Sequence, residues 1–291
     1  MTTEGSHTPV PLHASHPRNW RENLYVYPVI SRRSGGLSIG INLNPDKACN
    51  FNCVYCQVDR DAPAAVKRVD LARLRTELET TLQSAASGDL FVRPPFDRVP
   101  ESQRRIRDIA FSGDGEPTGA PEFPSAVQIV AELRRACGLS DAKTVLITNA
   151  AFLHRPPVRE ALALMDANNG EIWAKLDAGT EEYFRGVNRP SVPLQRVLDN
   201  ILEVSRVRPV VIQSLWMKLH DRPPPQAEVE AFAQRLAWLV RVGGRIRLVQ
   251  VYTVARQTAE PFVAPLDDDA LRDIADRIKA IVDVPAEIYG S

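Results

Sequence analysis

Three of the four cysteines fall within eight residues, at Cys49, Cys53 and Cys56, in the stretch Asn44-Pro45-Asp46-Lys47-Ala48-Cys49-Asn50-Phe51-Asn52-Cys53-Val54-Tyr55-Cys56. Their spacing is C-x3-C-x2-C. An odd cluster of thiols makes a poor disulfide framework, and clustered thiols in a reducing compartment serve metal or redox chemistry. A zinc site takes four protein ligands from Cys and His, and no His follows at finger or ribbon spacing. A four-iron cubane has four corners, normally all capped by Cys. Three thiolates on one short loop can hold three irons and leave the fourth open, where a small molecule can coordinate. Cys137 lies far away in a helical pattern, sharing an apolar face with Ile129, Val130 and Leu133, and reads as a core thiol.

The spacing, the aromatic Tyr55 directly before the last cysteine and the position after the first core strand resemble the signature of the radical S-adenosylmethionine (SAM) superfamily. The resemblance implies a [4Fe-4S] cluster on Cys49, Cys53 and Cys56, with Tyr55 beside the bound SAM. In that family the open iron chelates the amino and carboxylate groups of SAM. The reduced cluster then splits the sulfonium into methionine and a 5′-deoxyadenosyl radical, which abstracts hydrogen from a substrate. A flavodoxin- or ferredoxin-type reductant is implied with it.

Further similarity extends over about residues 37–255. Phe111-Ser112-Gly113-Asp114-Gly115-Glu116-Pro117-Thr118 resembles the family's glycine-glycine-glutamate-proline loop, with Asp114 inserted between the glycines. Gly113 and Gly115 allow close backbone approach to a ligand. By the resemblance, carbonyls near Gly115 and the Glu116 carboxylate receive the ammonium of the methionine moiety. Thr148-Asn149 is similar to the family's threonine-asparagine step near the cofactor. Lys175-Leu176-Asp177 resembles a lysine and aspartate used on the methionine carboxylate and the ribose. Lys175 and Asp177 alternate to one side of a strand, and on a barrel strand that side is the lumen, where an isolated charge needs a partner. Direct SAM contact and a lumen ion pair are both open at this point. Gln213, ending the fifth strand, suits ribose, adenine or substrate.

The elements that must position these residues follow from the hydrophobic pattern. Short β-branched runs at 37–43, 106–111, 144–147, 172–176, 210–215 and 246–252 predict six strands. Between them, helical periodicity is marked by Leu71/Leu74/Leu78/Leu82, Val158/Leu162/Met165, Leu194/Val197/Leu198/Ile201, Val229/Phe232/Leu236/Leu239 and Leu271/Ile274/Ile278/Ile281. Strands alternating with helices imply an α/β fold with parallel strands and right-handed crossovers. Six units fit a partial TIM-type (βα)6 barrel; a doubly wound sheet is the alternative, since sequence does not fix strand order. Either way the chemistry belongs at the strand C-termini. Residues 1–36, with one apolar run at 24–30, read as an N-terminal extension partly packed on a radical SAM domain of residues 37–291.

Hydrophobic residues make up 44% and charged residues 25% of the 291, an ordinary globular mix. Lys plus Arg number 36 and so do Asp plus Glu, which excludes a uniform basic field for nucleic acid while leaving local patches such as Arg32-Arg33 or Arg104-Arg105. No apolar run approaches the ~20 residues of a membrane span, and residues 1–20 contain no apolar signal region. A cytoplasmic protein without a membrane partner is expected.

Within the superfamily, the 111–117 loop and the 173–184 stretch resemble a bacterial group related to wyosine-base tRNA enzymes. Those enzymes carry a second cluster, for which this chain lacks the three extra clustered cysteines. Glycyl-radical activases have a similar cysteine loop and size and act on a partner protein. The substrate stays open between these, and a non-catalytic Fe–S or zinc protein is the alternative of another class.

Overall fold

The computed structural model describes residues 20–64 and 66–290. In chain order its main elements are β1 (Val26–Ser31), β2 (Gly36–Ile41), α1 (Leu71–Ser87), β3 (Ile106–Phe111), α2 (Phe123–Ala136), β4 (Lys143–Thr148), α3 (Pro156–Asp166) and β5 (Gly170–Lys175). Then follow α4 (Glu181–Asn188), α5 (Leu194–Val207), β6 (Val210–Leu215), β7 (Lys218–Leu219), α6 (Gln226–Arg241), β8 (Ile246–Tyr252), β9 (Val263–Ala264), α7 (Asp268–Ile281) and β10 (Ala286–Tyr289). All six expected strands form, as β2, β3, β4, β5, β6 and β8.

They lie side by side in the order β1-β2-β3-β4-β5-β6-β8-β10, every neighbouring pair parallel except β1 with β2. The strand order never reverses, so the sheet has none of the switch points of a doubly wound fold. It curls into a half-barrel whose edge strands, β1 and β10, are not paired with each other. Across that gap the Arg32 guanidinium donates to the Gly290 carbonyl.

The strands read as continuous apolar runs because both faces are buried. Phe111, Leu146, Ile172, Ile212 and Val249 face the helices and join the main core. Ala110, Val145, Trp173 and Val211 form a separate cluster on the opposite, luminal face. Above that cluster the luminal positions turn polar, and this change of character along the strands makes room for a site.

The β1–β2 hairpin runs across residue 37, where the sequence pattern places the start of the domain. β1 pairs with β2 along its whole length, from Val26 opposite Ile41 to Ser31 opposite Gly36. Glu77 of α1 secures the entry to β1: its buried carboxylate accepts from the backbone N–H groups of Leu24 (2.9 Å), Tyr25 (2.9 Å) and Val26 (3.2 Å). Residues 20–36 thus belong to the sheet and its packing; the expectation for residues 1–19 concerns chain outside the described residues. β10 and α4 were likewise not apparent from periodicity. α4 has only eight residues, but it carries a start signal in Thr180-Glu181-Glu182, where the Thr180 side chain accepts from the Tyr183 N–H and acids occupy the first turn. Cys137 caps the end of α2, half-buried against the edge of the core. Among the described residues no helix is long and apolar enough to cross a membrane.

Candidate functional site

The thiol loop leaves the C-terminal end of β2 and is fastened on three sides. The end of α4 holds one side: Val54 N–H donates to the Val187 carbonyl (2.9 Å), Asn52 N–H to that of Asn188 (3.2 Å), and Ser191 N–H to that of Asn50 (3.0 Å). The Phe51 ring meets Phe184 edge-on at 5.6 Å. From the end of β4, Asn149 Nδ2 donates to Asn50 Oδ1 (2.8 Å). From the segment after β8, Ala259 N–H donates to the Cys56 carbonyl (3.0 Å).

Each cysteine sulfur accepts one N–H. Cys49 takes it from the Phe51 backbone (3.5 Å), Cys53 from Asn188 Nδ2 (3.5 Å) and Cys56 from the Arg60 guanidinium (3.7 Å). Burial raises the Cys49 thiol above its ordinary pKa and, with Asp177 adding, pushes Cys53 up to about 12. Thiolates there require a compensating cation, which a metal centre supplies. Among the described residues no three Cys, His, Asp or Glu side chains group around the position of a single ion. A cubane asks for a different arrangement, one thiolate at each of three separate irons. Three half-buried sulfurs, each with one donor and all facing the same cavity, fit that demand.

That cavity has a volume of about 280 Å³ at the C-terminal ends of the strands, and every residue singled out from the sequence, from Cys49 to Gln213, lines it. The structure therefore brings the sequence candidates together. Their hydrogen bonding, however, separates them into groups that hold the site and groups that face it.

Glu116 is buried, and its carboxylate is engaged by four protein donors. Oε1 accepts from Thr118 N–H (3.1 Å), Thr118 Oγ1 (2.5 Å) and Thr148 Oγ1 (2.6 Å); Oε2 accepts from Asn149 N–H (2.7 Å). Burial raises its pKa against the pull of these bonds. Thr148 and Asn149 thus lock the loop after β3 to the end of β4, and one lone pair of Oε2 is left for a ligand. Glu116→Gln keeps an acceptor but sets an NH2 against an N–H or hydroxyl donor. It should cost about 1–2 kcal/mol, read as a lower melting temperature, while iron content stays unchanged.

The two loop glycines are required by protein neighbours. A Cβ on Gly113 would meet Asn42 Oδ1 at 2.3 Å, and one on Gly115 would meet the Ala48 carbonyl at 1.9 Å and Asn44 Cβ at 2.7 Å. The glycines let the 113–115 turn press against the start of the thiol loop, beneath Cys49, rather than clearing space for a ligand alone. Gly115→Val should displace that loop and lower bound iron as well as SAM affinity. Metal analysis separates this from the iron-neutral effect at Glu116.

Lys175 and Asp177 are not an ion pair. Asp177 is buried and accepts from the Tyr55 hydroxyl, from Asn188 Nδ2 (2.9 Å) and from Leu215 N–H (2.8 Å). It clamps the thiol loop, α4 and the end of β6 together. Lys175 makes no hydrogen bond or ion pair with a described residue and faces the cavity. Gln213, fully buried, donates from Nε2 to Gln250 Oε1 (2.8 Å), while its own Oε1 has no partner. Asn188 and Arg33 were not recognised from the sequence as site residues. The first is a C-terminal helix residue without a motif of its own. The second reaches the lumen only because the β1–β2 hairpin folds into the sheet.

The family model described as the radical SAM superfamily matches residues 43–219, a span holding the thiol loop and β3 to β6. The UPF0026 protein of Helicobacter pylori (strain J99) is 28% identical over 191 residues, 64% of this chain and 54% of that protein. A UPF0026 protein of Methanocaldococcus jannaschii is 30% identical over 177 residues, 60% of this chain and 46% of that one. The chain thus spans about half the length of these curated relatives. Among solved structures, one described as TYW1 with a lysine–pyruvate adduct bound is similar with a TM-score of 0.52 at 13% identity, over 85% of this chain and 74% of that one. At that identity the likeness is one of fold. The matched span covers more than half of the chain, and the chain belongs to the radical SAM superfamily.

Proposed function

We propose that the chain is a radical SAM enzyme that carries a [4Fe-4S] cluster on Cys49, Cys53 and Cys56, binds SAM across the C-terminal ends of β3 to β6, and acts on a substrate in the lumen. The observation that carries this reading is the single cavity shared by the three thiols, the 113–116 loop and the polar luminal residues. When bound, cluster and SAM supply reductive cleavage of the sulfonium, giving a 5′-deoxyadenosyl radical that abstracts hydrogen.

The chain's own groups provide the setting. Asn188 Nδ2, the Arg60 guanidinium and the Phe51 N–H donate to the cysteine sulfurs, which stabilises negative charge there. Carbonyls of the 113–115 turn and the spare lone pair of Glu116 Oε2 would receive the methionine ammonium. Thr148 and Asn149 keep that carboxylate aimed. Tyr55 and Asp177 fix the end of the thiol loop over the lumen. A flavodoxin- or ferredoxin-type protein is the reductant, and a reducing cytoplasm suits the four free thiols.

Anaerobic reconstitution should give a brown protein that forms 5′-deoxyadenosine from SAM and dithionite. A protein that takes up zinc but not iron, or that holds a cluster without cleaving SAM, would instead be a structural metal protein or an electron carrier.

A further inference from the structure

Lys175 is a cation in a lumen whose carboxylates are held by other donors. Glu116 and Asp177 have the donors described above, and Asp114 accepts from Asn42 Nδ2 (2.7 Å). A second cation enters from the other side. Arg33, on the turn between β1 and β2, stands with its guanidinium 5.0 Å from the ring centre of Tyr252 and 5.8 Å from that of Trp173. Trp173 precedes Lys175 by two residues on β5, so their side chains share the luminal face, roughly 6–7 Å apart along the strand. Arg33 disfavours the charge on Lys175, and both interact with Tyr252. Gln213 is the register neighbour of Lys175 on β6 and leaves one amide atom without a partner. An amide pair such as Gln213–Gln250 can turn over together, so that atom offers either an acceptor or a donor.

Lys175 and Arg33 converge on one layer of a half-closed lumen and neither forms an ion pair with a carboxylate among the described residues, so an anion bound there would give both a partner. We propose that the luminal layer of Lys175, Arg33 and Gln213 is a subsite for an oxyanion, a carboxylate or phosphate group, carried by the substrate. This rests on the radical SAM reading of the cavity and adds to it a substrate class. It also moves Lys175 away from the methionine carboxylate. Lys175 lies one strand repeat inward from Asp177, the residue bonded to the thiol loop, and on the side of the lumen that Arg33 approaches. Burial lowers the pKa of Lys175, but its neighbours Tyr252, Asp177 and Cys53 outweigh that and the net direction is upward.

The test uses the full chain with its cluster reconstituted and SAM saturating. Sodium phosphate and, separately, sodium succinate are titrated calorimetrically at ionic strength balanced with chloride. At least one probe should bind saturably at one site, and the better probe identifies the oxyanion. Lys175→Met and Arg33→Gln should each weaken it about tenfold or more, with iron content and SAM affinity unchanged. Lys175→Met exchanges an unpaired cation for an apolar chain of similar length, so it should fold; Lys175→Arg should retain binding. The subsite is refuted if neither probe binds the wild type, or if Lys175→Met loses SAM affinity while probe binding persists. Failure of the wild type to take up iron or bind SAM would count against the radical SAM reading. The same titrations without SAM would still decide the subsite.

Discussion

Replacing any one of Cys49, Cys53 and Cys56 with Ala should abolish SAM cleavage and remove most of the bound iron. The loss is expected to be nearly complete because the proposed cluster would depend on three thiolates from one loop. Two thiolates leave two irons without protein ligands, and the hydrogen bonds from Phe51, Asn188 and Arg60 cannot replace a metal–sulfur bond. The three variants should remain folded, since the loop is held by backbone bonds to α4 and to Ala259 that no thiol takes part in. Cys137→Ala supplies the control. That thiol sits half-buried at the end of α2, away from the cavity, and its removal should leave iron and turnover almost intact. Iron content and 5′-deoxyadenosine yield measured on all four variants decide the matter. Full iron in the three loop variants would refute the cluster assignment, and loss of iron from Cys137→Ala would show a ligand where the fold places a packing residue.

Asp177→Ala should produce the largest loss of stability among the site variants. Its two oxygens accept from the Tyr55 hydroxyl, Asn188 Nδ2 and Leu215 N–H, all buried. Removing the carboxylate leaves these donors facing each other without an acceptor, at about 1–3 kcal/mol for each one left unsatisfied. A total of about 3–5 kcal/mol is expected, since Asn188 retains its contact with Cys53. For a domain of this size that corresponds to a fall in melting temperature on the order of 10 °C. Tyr55→Phe should cost far less, about 1 kcal/mol, because it removes a donor and leaves Asp177 two others. Melting the cluster-loaded proteins anaerobically with and without SAM gives the decisive comparison. The variant should melt low without SAM and keep most of the SAM-induced shift. A normal melt without SAM combined with a lost shift would make Asp177 a ribose contact instead of a clamp.

These two predictions draw on different kinds of information. The cysteine spacing, the aromatic at Tyr55 and the glycine loop are local, written within a few residues of each other, and metal chemistry is legible wherever its ligands are close in sequence. The strands were legible for a related reason: burial on both faces forces a continuous β-branched run, as at β4 and β6. Helices long enough to bury a full face showed their period, whereas α4, with eight residues, was visible only through its Thr180 cap. β10 is too short to carry a pattern, and β1 reads as part of an extension because nothing in its composition reveals that it pairs with β2.

What the sequence by itself determined was which residues come together: three closely spaced thiols, and the set of polar residues that gather at the strand ends. What tertiary structure alone decided was the state of each of those residues. Asp177 and Tyr55 are 122 positions apart and bonded; Lys175, two residues from Asp177, has no such bond. Glu116 is held by Thr148 and Asn149, more than thirty positions away. Whether a buried charge is satisfied depends on which donors and counter-charges lie within about 3 Å, and that proximity is set by strand order and loop docking, which no local pattern encodes. The same physics that makes the motif readable leaves open which of its residues support the site and which face the ligand.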